Sequence, residues 1–342
     1  MHSAILVHPR FDGVWPWTAD HAHRIWQREG TVEFLRLGSD EQRPVTQLLQ
    51  TSQKIERLLI LGYNLTVSDV EQLPRLREFS WIEGGYGLDE ARQAEVLAAL
   101  RARGAKLIRH QSEGFWGQSV SEFGFALTLS GLRRIPQLHR EMITNTRTWY
   151  YEPPNGVGQP SARGQQYGDD SRFTNGTLEG KRIRIVGAGN IASRYASFCD
   201  FFGADVAAWD PFAHEPCFHR SGARREHFLD RLVRDAEIFA PMVPLTDKTA
   251  GLVTAAHIDA LPRGTLVVLV TRAGICDMAA VRRRVLAGEL ALAADVFDVE
   301  PLPLDDPLLG HPNVVHTPHN AGRTKQANER WADMLLAQYT PV

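Results

Sequence analysis

Short apolar runs alternate with longer amphipathic segments along most of the chain. Runs rich in Val, Ile and Leu are typical of buried strands, and the segments between them repeat apolar residues at helical spacing. Regular alternation of strands and helices favours an α/β fold with parallel sheets. In the first third of the chain, the pattern predicts strands near 3–8, 31–37, 57–62, 77–82 and 105–109, and helices near 19–29, 43–53, 66–73 and 89–103.

The same alternation resumes after residue 180. Before it, the pattern over 120–138 is strongly helical and is a candidate for the connector between two domains. A last helix is predicted over 324–338, where the chain would return to the first domain. The strands predicted in this part of the chain lie near 182–186, 205–209, 237–240, 265–270, 291–295 and 313–316.

Residues 150–178 interrupt the alternation with several Pro, Gly and Asp residues, which predicts an irregular loop. A loop of this length is uncommon inside a compact domain and is usually functional or mobile. Its aromatic residues suit a buried interface, so we expect the loop to pack against a partner subunit. A mobile surface loop is the alternative interpretation.

The composition is typical of a globular protein of two domains. The chain has 342 residues, of which 43% are hydrophobic, and its formal net charge is -2. Neither a nucleic acid nor an anionic membrane is therefore an expected partner. Three widely spaced cysteines, Cys199, Cys217 and Cys276, indicate a reducing compartment with neither a disulfide framework nor a metal site. The chain has no signal-like N-terminus and no long apolar run, so we expect a cytoplasmic protein without a membrane partner.

The most informative motif follows a predicted strand near residue 186. Gly187, Gly189 and Ala192 form the pattern G-x-G-x-x-A at a strand-to-helix turn, which is typical of dinucleotide binding. Gly187 would permit the tight turn, and Gly189 would let the backbone approach a pyrophosphate. The pyrophosphate would bind at the helix N-terminus, where Asn190 and Ile191 lie.

Asp210 ends the next predicted strand, about 20 residues after the second glycine of the motif. A carboxylate at this position accepts hydrogen bonds from both ribose hydroxyls of NAD and repels the 2′-phosphate of NADP. We therefore expect NAD as the cofactor and NADP to be disfavoured. The alternative is that Asp210 is a solvated strand end.

Three further polar residues follow the carboxyl ends of predicted strands: Arg272, Glu300 and His319. A guanidinium binds a carboxylate and polarises an adjacent carbonyl, and a histidine paired with a glutamate donates and accepts a proton. With hydride transfer at a nicotinamide, this set describes the interconversion of 2-oxo acids and 2-hydroxy acids. Taken singly, each residue also suits an ordinary structural role: a surface ion pair, a loop acid and a helix cap.

These motifs, in this order, resemble those of the D-isomer-specific 2-hydroxyacid dehydrogenases. The resemblance implies that Arg272 binds the substrate carboxylate and that His319 is the acid and base, with Glu300 as its partner. The resemblance covers residues 116–325 and rests on the motifs Val-Gly-Ala-Gly-Asn-Ile-Ala, Trp-Asp-Pro, Val-Pro-Leu-Thr-Asp-Lys-Thr, Thr-Arg-Ala-Gly-Ile, Asp-Val-Phe-Asp-Val-Glu-Pro-Leu-Pro and Asn-Val-Val-His-Thr-Pro-His-Asn-Ala-Gly.

The resemblance also implies further binding residues. Gly85, Tyr86 and Gly87 resemble the loop whose backbone N–H groups bind the substrate carboxylate in this family. Asp295 is assigned to the region of the nicotinamide carboxamide. The full set of expected cofactor-binding residues is Gly187, Gly189, Asn190, Ile191, Asp210, Val243, Pro244, Thr249, Val270, Thr271, Asp295, His319 and Ala321.

For the fold, the resemblance implies two Rossmann-like or flavodoxin-like domains, each with a parallel sheet, and a cofactor domain inserted into the substrate domain. We expect the substrate domain to comprise residues 1–115 and 320–342, and the NAD-binding domain residues 116–319. The resemblance also implies a homodimer joined through the cofactor domains.

The expected activity is NAD-dependent interconversion of a small 2-oxo acid and its D-2-hydroxy acid. Two other functions fit the same motifs: an NAD-binding regulator similar to the C-terminal-binding-protein corepressors, and oxidation of phosphite type. The side chain of the substrate cannot be inferred from the sequence. Six residues are candidates for contacting it, and packing or surface roles fit them equally well: Arg10, His8, Trp15, Trp17, Tyr86 and Trp116.

Overall fold

The computed structural model describes residues 1–150 and 168–341, which form two compact units. The first unit contains residues 1–115 together with the chain from Arg323 onward, and the second contains residues 116–322. Each unit is built on its own sheet, and every strand pair in both sheets is parallel. The predicted α/β class with two parallel-sheet domains is confirmed.

The first unit has a five-stranded sheet of order β2-β1-β3-β4-β5, which is the flavodoxin-like order. Its strands are β1 (His2–Val7), β2 (Thr31–Arg36), β3 (Arg57–Leu61), β4 (Glu78–Ile82) and β5 (Lys106–Leu107). Its helices are α1 (Pro9–Asp12), α2 (Thr18–Trp26), α3 (Val45–Leu48), α4 (Val67–Glu71), α5 (Ala94–Ala102) and, at the C-terminal end of the chain, α13 (Lys325–Leu336).

The second unit has a seven-stranded sheet of order β12-β11-β10-β9-β6-β7-β8, which is the Rossmann order with one added strand. Its strands are β6 (Arg182–Val186), β7 (Asp205–Trp209), β8 (Arg224–Arg225), β9 (Ile238–Pro241), β10 (Leu266–Leu269), β11 (Ala291–Ala294) and β12 (Val314–His316). Its helices are α6 (Gly117–Arg133), α7 (Ile135–Thr144), α8 (Asn190–Phe201), α9 (Glu215–Arg220), α10 (Leu229–Leu232), α11 (Ala255–Ala260) and α12 (Met278–Leu286).

The C-terminal segment is part of the first unit. The Thr18 hydroxyl of α2 donates to the Asn328 carbonyl of α13 at 3.0 Å. Beyond α13, the buried Tyr339 hydroxyl donates to Ser80 Oγ of β4 at 2.7 Å. These hydroxyl groups are hydrogen-bonded, so the end of the chain packs against the sheet of the first unit with both of them paired.

A buried arginine links the central strands of the second unit through ion pairs. The side chain of Arg184, in β6, is only 2% exposed and hydrogen-bonds with Asp205 at 3.0 Å and Asp235 at 2.7 Å. Asp205 begins β7, and Asp235 lies just before β9, so the ion pairs link the three strands that meet beside the glycine motif. The hydrogen bond from Arg184 lowers the pKa of Asp235 below its usual value.

The region predicted to be helical over 120–138 is helical, but it is divided between two helices, α6 and α7. The helix breaks at Arg134, whose φ of 51° is left-handed, and continues as α7. Pro136 lies in the first turn of α7. Because proline lacks the N–H group and its ring clashes with the carbonyl four residues earlier, an uninterrupted helix could not pass through this position.

Other predicted boundaries shift by a few residues. In place of the helix predicted over 43–53, the structure has the short helix α3 and one 3-10 turn. Strand β8 was not predicted, because its sequence contains no apolar run. Of the loop predicted at 150–178, residues 151–167 lie outside the described residues, and residues 168–178 contain neither helix nor strand. None of the helices in the described part of the chain has the length and apolar character needed to cross a bilayer.

Candidate active site

The glycine motif occupies the turn between β6 and α8. Gly187 has a φ of 110°, and a Cβ atom there would lie 2.9 Å from Val243 Cγ1 and 3.2 Å from the Met242 carbonyl oxygen. Only glycine fits, because both the conformation and the close approach exclude a side chain. Ala192 is buried, in the position where α8 packs on the sheet.

Gly189 is the N-cap of α8, and its surroundings differ from those of Gly187. Its backbone is extended, with φ at −77°, and an added Cβ would meet no protein atom within 4 Å. The protein alone therefore does not require glycine at this position. The open space lies at the first turn of α8, where Asn190 and Ile191 carry backbone N–H groups without intrahelical acceptors. The turn thus fits a dinucleotide pyrophosphate, which would occupy the space a side chain would fill.

Asp210 follows β7 and reaches the same turn. Its Oδ2 accepts a hydrogen bond from the Ala188 N–H at 2.9 Å, between the two glycines of the motif. Its Oδ1 accepts from the N–H groups of Phe212 at 2.9 Å and Ala213 at 3.0 Å. The carboxylate therefore lies beside the glycine turn, at the position where the sequence motif predicts contact with a ribose. It also stabilises the loop after β7.

The remaining predicted cofactor residues lie on the other side of the switch point between β6 and β9. Val243 and Pro244 follow β9, and Thr249 closes their loop by donating to the Pro244 carbonyl at 2.5 Å. Val270 and Thr271 follow β10 and are buried. Because ligands of doubly wound sheets bind at the carboxyl ends beside the switch point, these residues and the glycine turn lie where such a sheet binds its ligand.

Arg272 extends from the carboxyl end of β10 into solvent. Its Nη1 donates to the Thr271 carbonyl at 2.8 Å. Among the described residues, it has no carboxylate partner within ion-pair distance. An arginine that is fixed at a strand end and left without an acid suits binding of an anionic ligand.

His319 and Glu300 are paired. His319 Nδ1 and Glu300 Oε2 are 2.6 Å apart, and the Glu300 Oε1 accepts from the Phe297 N–H at 2.8 Å. His319 has a φ of 51°, which directs it out of the chain path after β12, and its side chain is 42% exposed. The glutamate holds one ring nitrogen, which leaves Nε2 to exchange a proton with a ligand.

Asp295 fixes the backbone around this histidine. It is fully buried at the end of β11. Its carboxylate accepts hydrogen bonds from the Thr317 hydroxyl at 2.6 Å, the Asn320 N–H at 3.1 Å and the Ala321 N–H at 2.8 Å. These three donors flank His319 on both sides, so in this structure the carboxylate anchors the segment that carries it.

Beside the His319–Glu300 pair lies an apolar groove of about 540 Å³. None of the apolar residues that line it was predicted from the sequence to be a binding residue. No periodicity marks them, because they come from two loops rather than from a helix or strand. They are Phe297, Pro301, Leu302, Leu304, Leu309 and Pro318.

The expected substrate loop belongs to the first unit, after β4. The Glu83 N–H donates to the Gly87 carbonyl at 2.9 Å, and Trp15 Nε1 donates to the Gly85 carbonyl at 2.7 Å. In the described structure, the N–H groups of Gly85 and Tyr86 donate to no protein acceptor. The carbonyls of this loop are therefore held while its N–H groups stay available to an anion.

The second unit matches a known family. Residues 125–321 match the sequence model described as D-isomer specific 2-hydroxyacid dehydrogenase, NAD binding domain, which covers more than half of the chain. The chain is 28% identical over 328 residues to glyoxylate/hydroxypyruvate reductase B of Yersinia enterocolitica, which covers 94% of this chain and 91% of that protein.

The chain is also 31% identical over 221 residues to D-3-phosphoglycerate dehydrogenase of Archaeoglobus fulgidus, covering 64% of this chain and 38% of the relative. It spans 36% and 55% of the length of two further D-3-phosphoglycerate dehydrogenases, from Bacillus subtilis and Methanocaldococcus jannaschii. The solved structure of D-2-hydroxyisocaproate dehydrogenase superposes with a TM-score of 0.69 at 17% identity, over 98% of this chain and 95% of that one, which shows a shared fold.

Proposed function

Because the chain belongs to the D-isomer specific 2-hydroxyacid dehydrogenase family, we propose that it is an NAD-dependent oxidoreductase that interconverts a small 2-oxo acid and its D-2-hydroxy acid. One observation carries the proposal: His319 and Glu300 are in contact at 2.6 Å. They follow the strands β12 and β11, which belong to the same sheet as β6, the strand before the glycine turn. A histidine held by a carboxylate at the ligand edge of a Rossmann sheet is arranged for proton transfer next to a nicotinamide.

The second unit supplies the cofactor-binding residues. The first-turn N–H groups of α8 bind the pyrophosphate, with Gly189 leaving space for it, and Asp210 accepts hydrogen bonds from the ribose hydroxyls. A carboxylate beside the ribose also repels a 2′-phosphate, so NADP is disfavoured. When bound, NAD supplies the hydride acceptor, and NADH the hydride donor.

The chain's own residues bind the substrate and move the proton. In the second unit, the guanidinium of Arg272 binds the carboxylate and polarises the adjacent carbonyl. In the first unit, the N–H groups of the 85–87 loop are donors that suit a carboxylate. During reduction His319 donates a proton to the carbonyl oxygen, and during oxidation it removes the proton from the hydroxyl. Glu300 stabilises the protonated imidazole. We further propose that the chain forms a homodimer.

The decisive experiment measures the oxidation of NADH and of NADPH in the presence of a panel of 2-oxo acids. We expect turnover with NADH, poor turnover with NADPH, and a D-hydroxy acid as product.

Arg272→Lys keeps the charge but loses the geometry that donates two parallel hydrogen bonds, so it lowers kcat/KM for the oxo acid while the Kd for NADH is retained. Arg263→Lys, at an exposed arginine paired with Glu289, is the matched control. Tight NADH binding without any turnover would overturn the proposal and favour a regulatory protein.

A further inference from the structure

A cavity of about 420 Å³ lies at the carboxyl ends of β1, β3 and β4, within the first unit. The strand order places the switch point of this sheet between β1 and β3, where open parallel sheets bind ligands. The cavity therefore occupies the ligand position of the first unit. Its polar lining includes Arg10 after β1, Asn64 after β3, and Glu83 and Arg92 after β4.

The charges that line the cavity do not cancel. Glu83 forms an ion pair with Arg92 and accepts a hydrogen bond from Gln93 Nε2 at 2.8 Å. Arg10 has no carboxylate partner among the described residues. One guanidinium thus remains uncompensated, and the cavity presents a net positive charge to a small ligand.

The buried His8 holds the backbone at Arg10 through a hydrogen bond. His8 is 4% exposed, and its Nδ1 accepts the Arg10 N–H at 3.2 Å. Its Nε2 lies 3.3 Å from the Ser39 carbonyl and donates to it. His8 also stacks on Tyr63, with ring centroids 5.9 Å apart. The arginine therefore extends into the cavity from a rigid position rather than from a loose loop.

The same cavity touches the proposed substrate loop, since Gly84 and Gly87 also line it. A molecule whose carboxylate is bound by this loop would place its side chain next to Arg10 and Asn64. A guanidinium donates two parallel hydrogen bonds to an oxyanion, and an amide adds a further donor.

We propose that the 2-oxo acid taken by this protein carries a second anionic group, a carboxylate or a phosphate ester, and that Arg10 binds it. This inference rests on the proposed function, because it names the class of acid that the dehydrogenase reduces. Asn64 contributes a hydrogen bond to the same group, and the Glu83–Arg92 pair leaves the charge of Arg10 unopposed.

Matched substrate pairs test the inference. Oxaloacetate is compared with 2-oxobutyrate, and 3-phosphohydroxypyruvate with hydroxypyruvate, and the pair with the larger ratio of kcat/KM identifies carboxylate or phosphate as the second group. Arg10→Gln should lower the ratio of dianionic to monoanionic kcat/KM by about 10–100-fold, as expected for loss of a charged hydrogen bond. Arg28→Gln removes the same charge from an exposed site of the first unit outside the cavity lining and should leave the ratio unchanged.

A wild-type ratio near one in both pairs, or a ratio that Arg10→Gln does not change, would overturn the inference while leaving the dehydrogenase activity established. A binding measurement separates it from the chemistry. Glutarate carries two carboxylates and no 2-oxo group, and butyrate carries one. Broadening of the glutarate proton resonances by the wild-type protein but not by Arg10→Gln, with butyrate unaffected, would support the inference even without turnover. Equal broadening by both proteins would refute it.

Discussion

His319 adopts a backbone conformation that residues other than glycine rarely take. Its φ of 51° costs about 1–2 kcal/mol in an L-residue. The cost is offset by the three hydrogen bonds that Asp295 accepts from residues on both sides of His319. Strain that the surroundings hold in place is common at ligand-binding sites, and here the strained residue carries the imidazole that contacts Glu300.

His319→Ala should lower kcat by about 10²–10⁴-fold and leave the Kd for NADH nearly unchanged, because the imidazole transfers the proton and the glycine turn binds the cofactor. Steady-state kinetics and a fluorescence titration with NADH measure the two quantities. His219→Ala, at an exposed site of α9, is the matched control.

Glu300→Gln tests the pairing separately. The amide oxygen can still accept from Nδ1, but the charge that stabilises the protonated ring is lost. Reduction, which needs a protonated histidine, should therefore slow more than oxidation, which needs a neutral one. The ratio of the two kcat values at neutral pH is the readout, and an unchanged ratio would show that Glu300 only orients the ring.

A second histidine gives a prediction about stability. The ring of His110 packs against the rings of Phe115 and Trp331, with centroid distances of 4.8 Å and 4.5 Å. Neither nitrogen of the His110 ring has a hydrogen-bond partner among the described residues. Burial lowers the pKa of His110 to about 4. Between about pH 6.5 and this value, the unfolded chain binds a proton at His110 and the folded chain does not. The free energy of unfolding therefore falls as the pH falls through this window.

His110→Phe should remove this dependence, since phenylalanine keeps the ring contacts and does not titrate. Urea unfolding at about pH 7.5 and about pH 5 should show a smaller loss of stability for the variant than for the wild type. His219→Phe, at an exposed histidine, should lose as much stability on acidification as the wild type. Equal losses for His110→Phe and wild type would show that His110 is not responsible.

At the scale of elements, the β6–turn–α8 unit contains two glycines with different physical requirements. Gly187 is required by the protein itself, because its φ is positive and Val243 lies in the path of any side chain. Gly189 has an ordinary φ and open space around its missing Cβ. If the motif binds a dinucleotide, the requirement at Gly189 comes from the ligand alone.

Alanine at each position separates these requirements. Gly189→Ala should change the free energy of unfolding by no more than about 0.5 kcal/mol while raising the Kd for NADH on the order of tenfold. Gly187→Ala should cost about 1–3 kcal/mol of stability and weaken NADH binding as well. Denaturant unfolding without cofactor, followed by NADH titration, gives both quantities. Unimpaired NADH binding by Gly189→Ala would place the pyrophosphate elsewhere.

At the scale of the whole molecule, the sequence pattern predicts the sheets better than the helices. Strands such as β3 and β10 are continuous apolar runs because both of their faces are buried, so their positions follow from the sequence. The break at Arg134 was missed, although Pro136 signals it, because the apolar spacing continues through it. The candidate residues at strand ends could be selected from the sequence because parallel strands align their carboxyl ends at one edge.

Contacts between distant segments could not be predicted from the sequence. The hydrogen bonds from Asp295 to the residues around His319 join positions more than 20 residues apart, and no local pattern marks them. The same holds for Arg184, a charged residue in a mostly apolar strand. Its burial is explained only by its ion pairs with Asp205 and Asp235, which the sequence does not indicate. The sequence could not separate Arg10 from the other candidates for substrate contact, because the cavity that it lines is formed by three strand ends that are distant in sequence.

The proposed homodimer gives the last prediction. Helix α7 has no buried residue, and its apolar side chains include Ile135, Met142 and Ile143, which are 52%, 56% and 70% exposed in the single chain. An amphipathic helix whose apolar side chains are this exposed suits an interface between copies. The double variant Met142→Lys/Ile143→Lys should therefore sediment as a monomer while the wild type sediments as a dimer. Phe201→Lys, at a side chain 85% exposed on α8, should remain dimeric. A wild type that is monomeric at micromolar concentration, or a double variant that stays dimeric, would remove α7 from the interface.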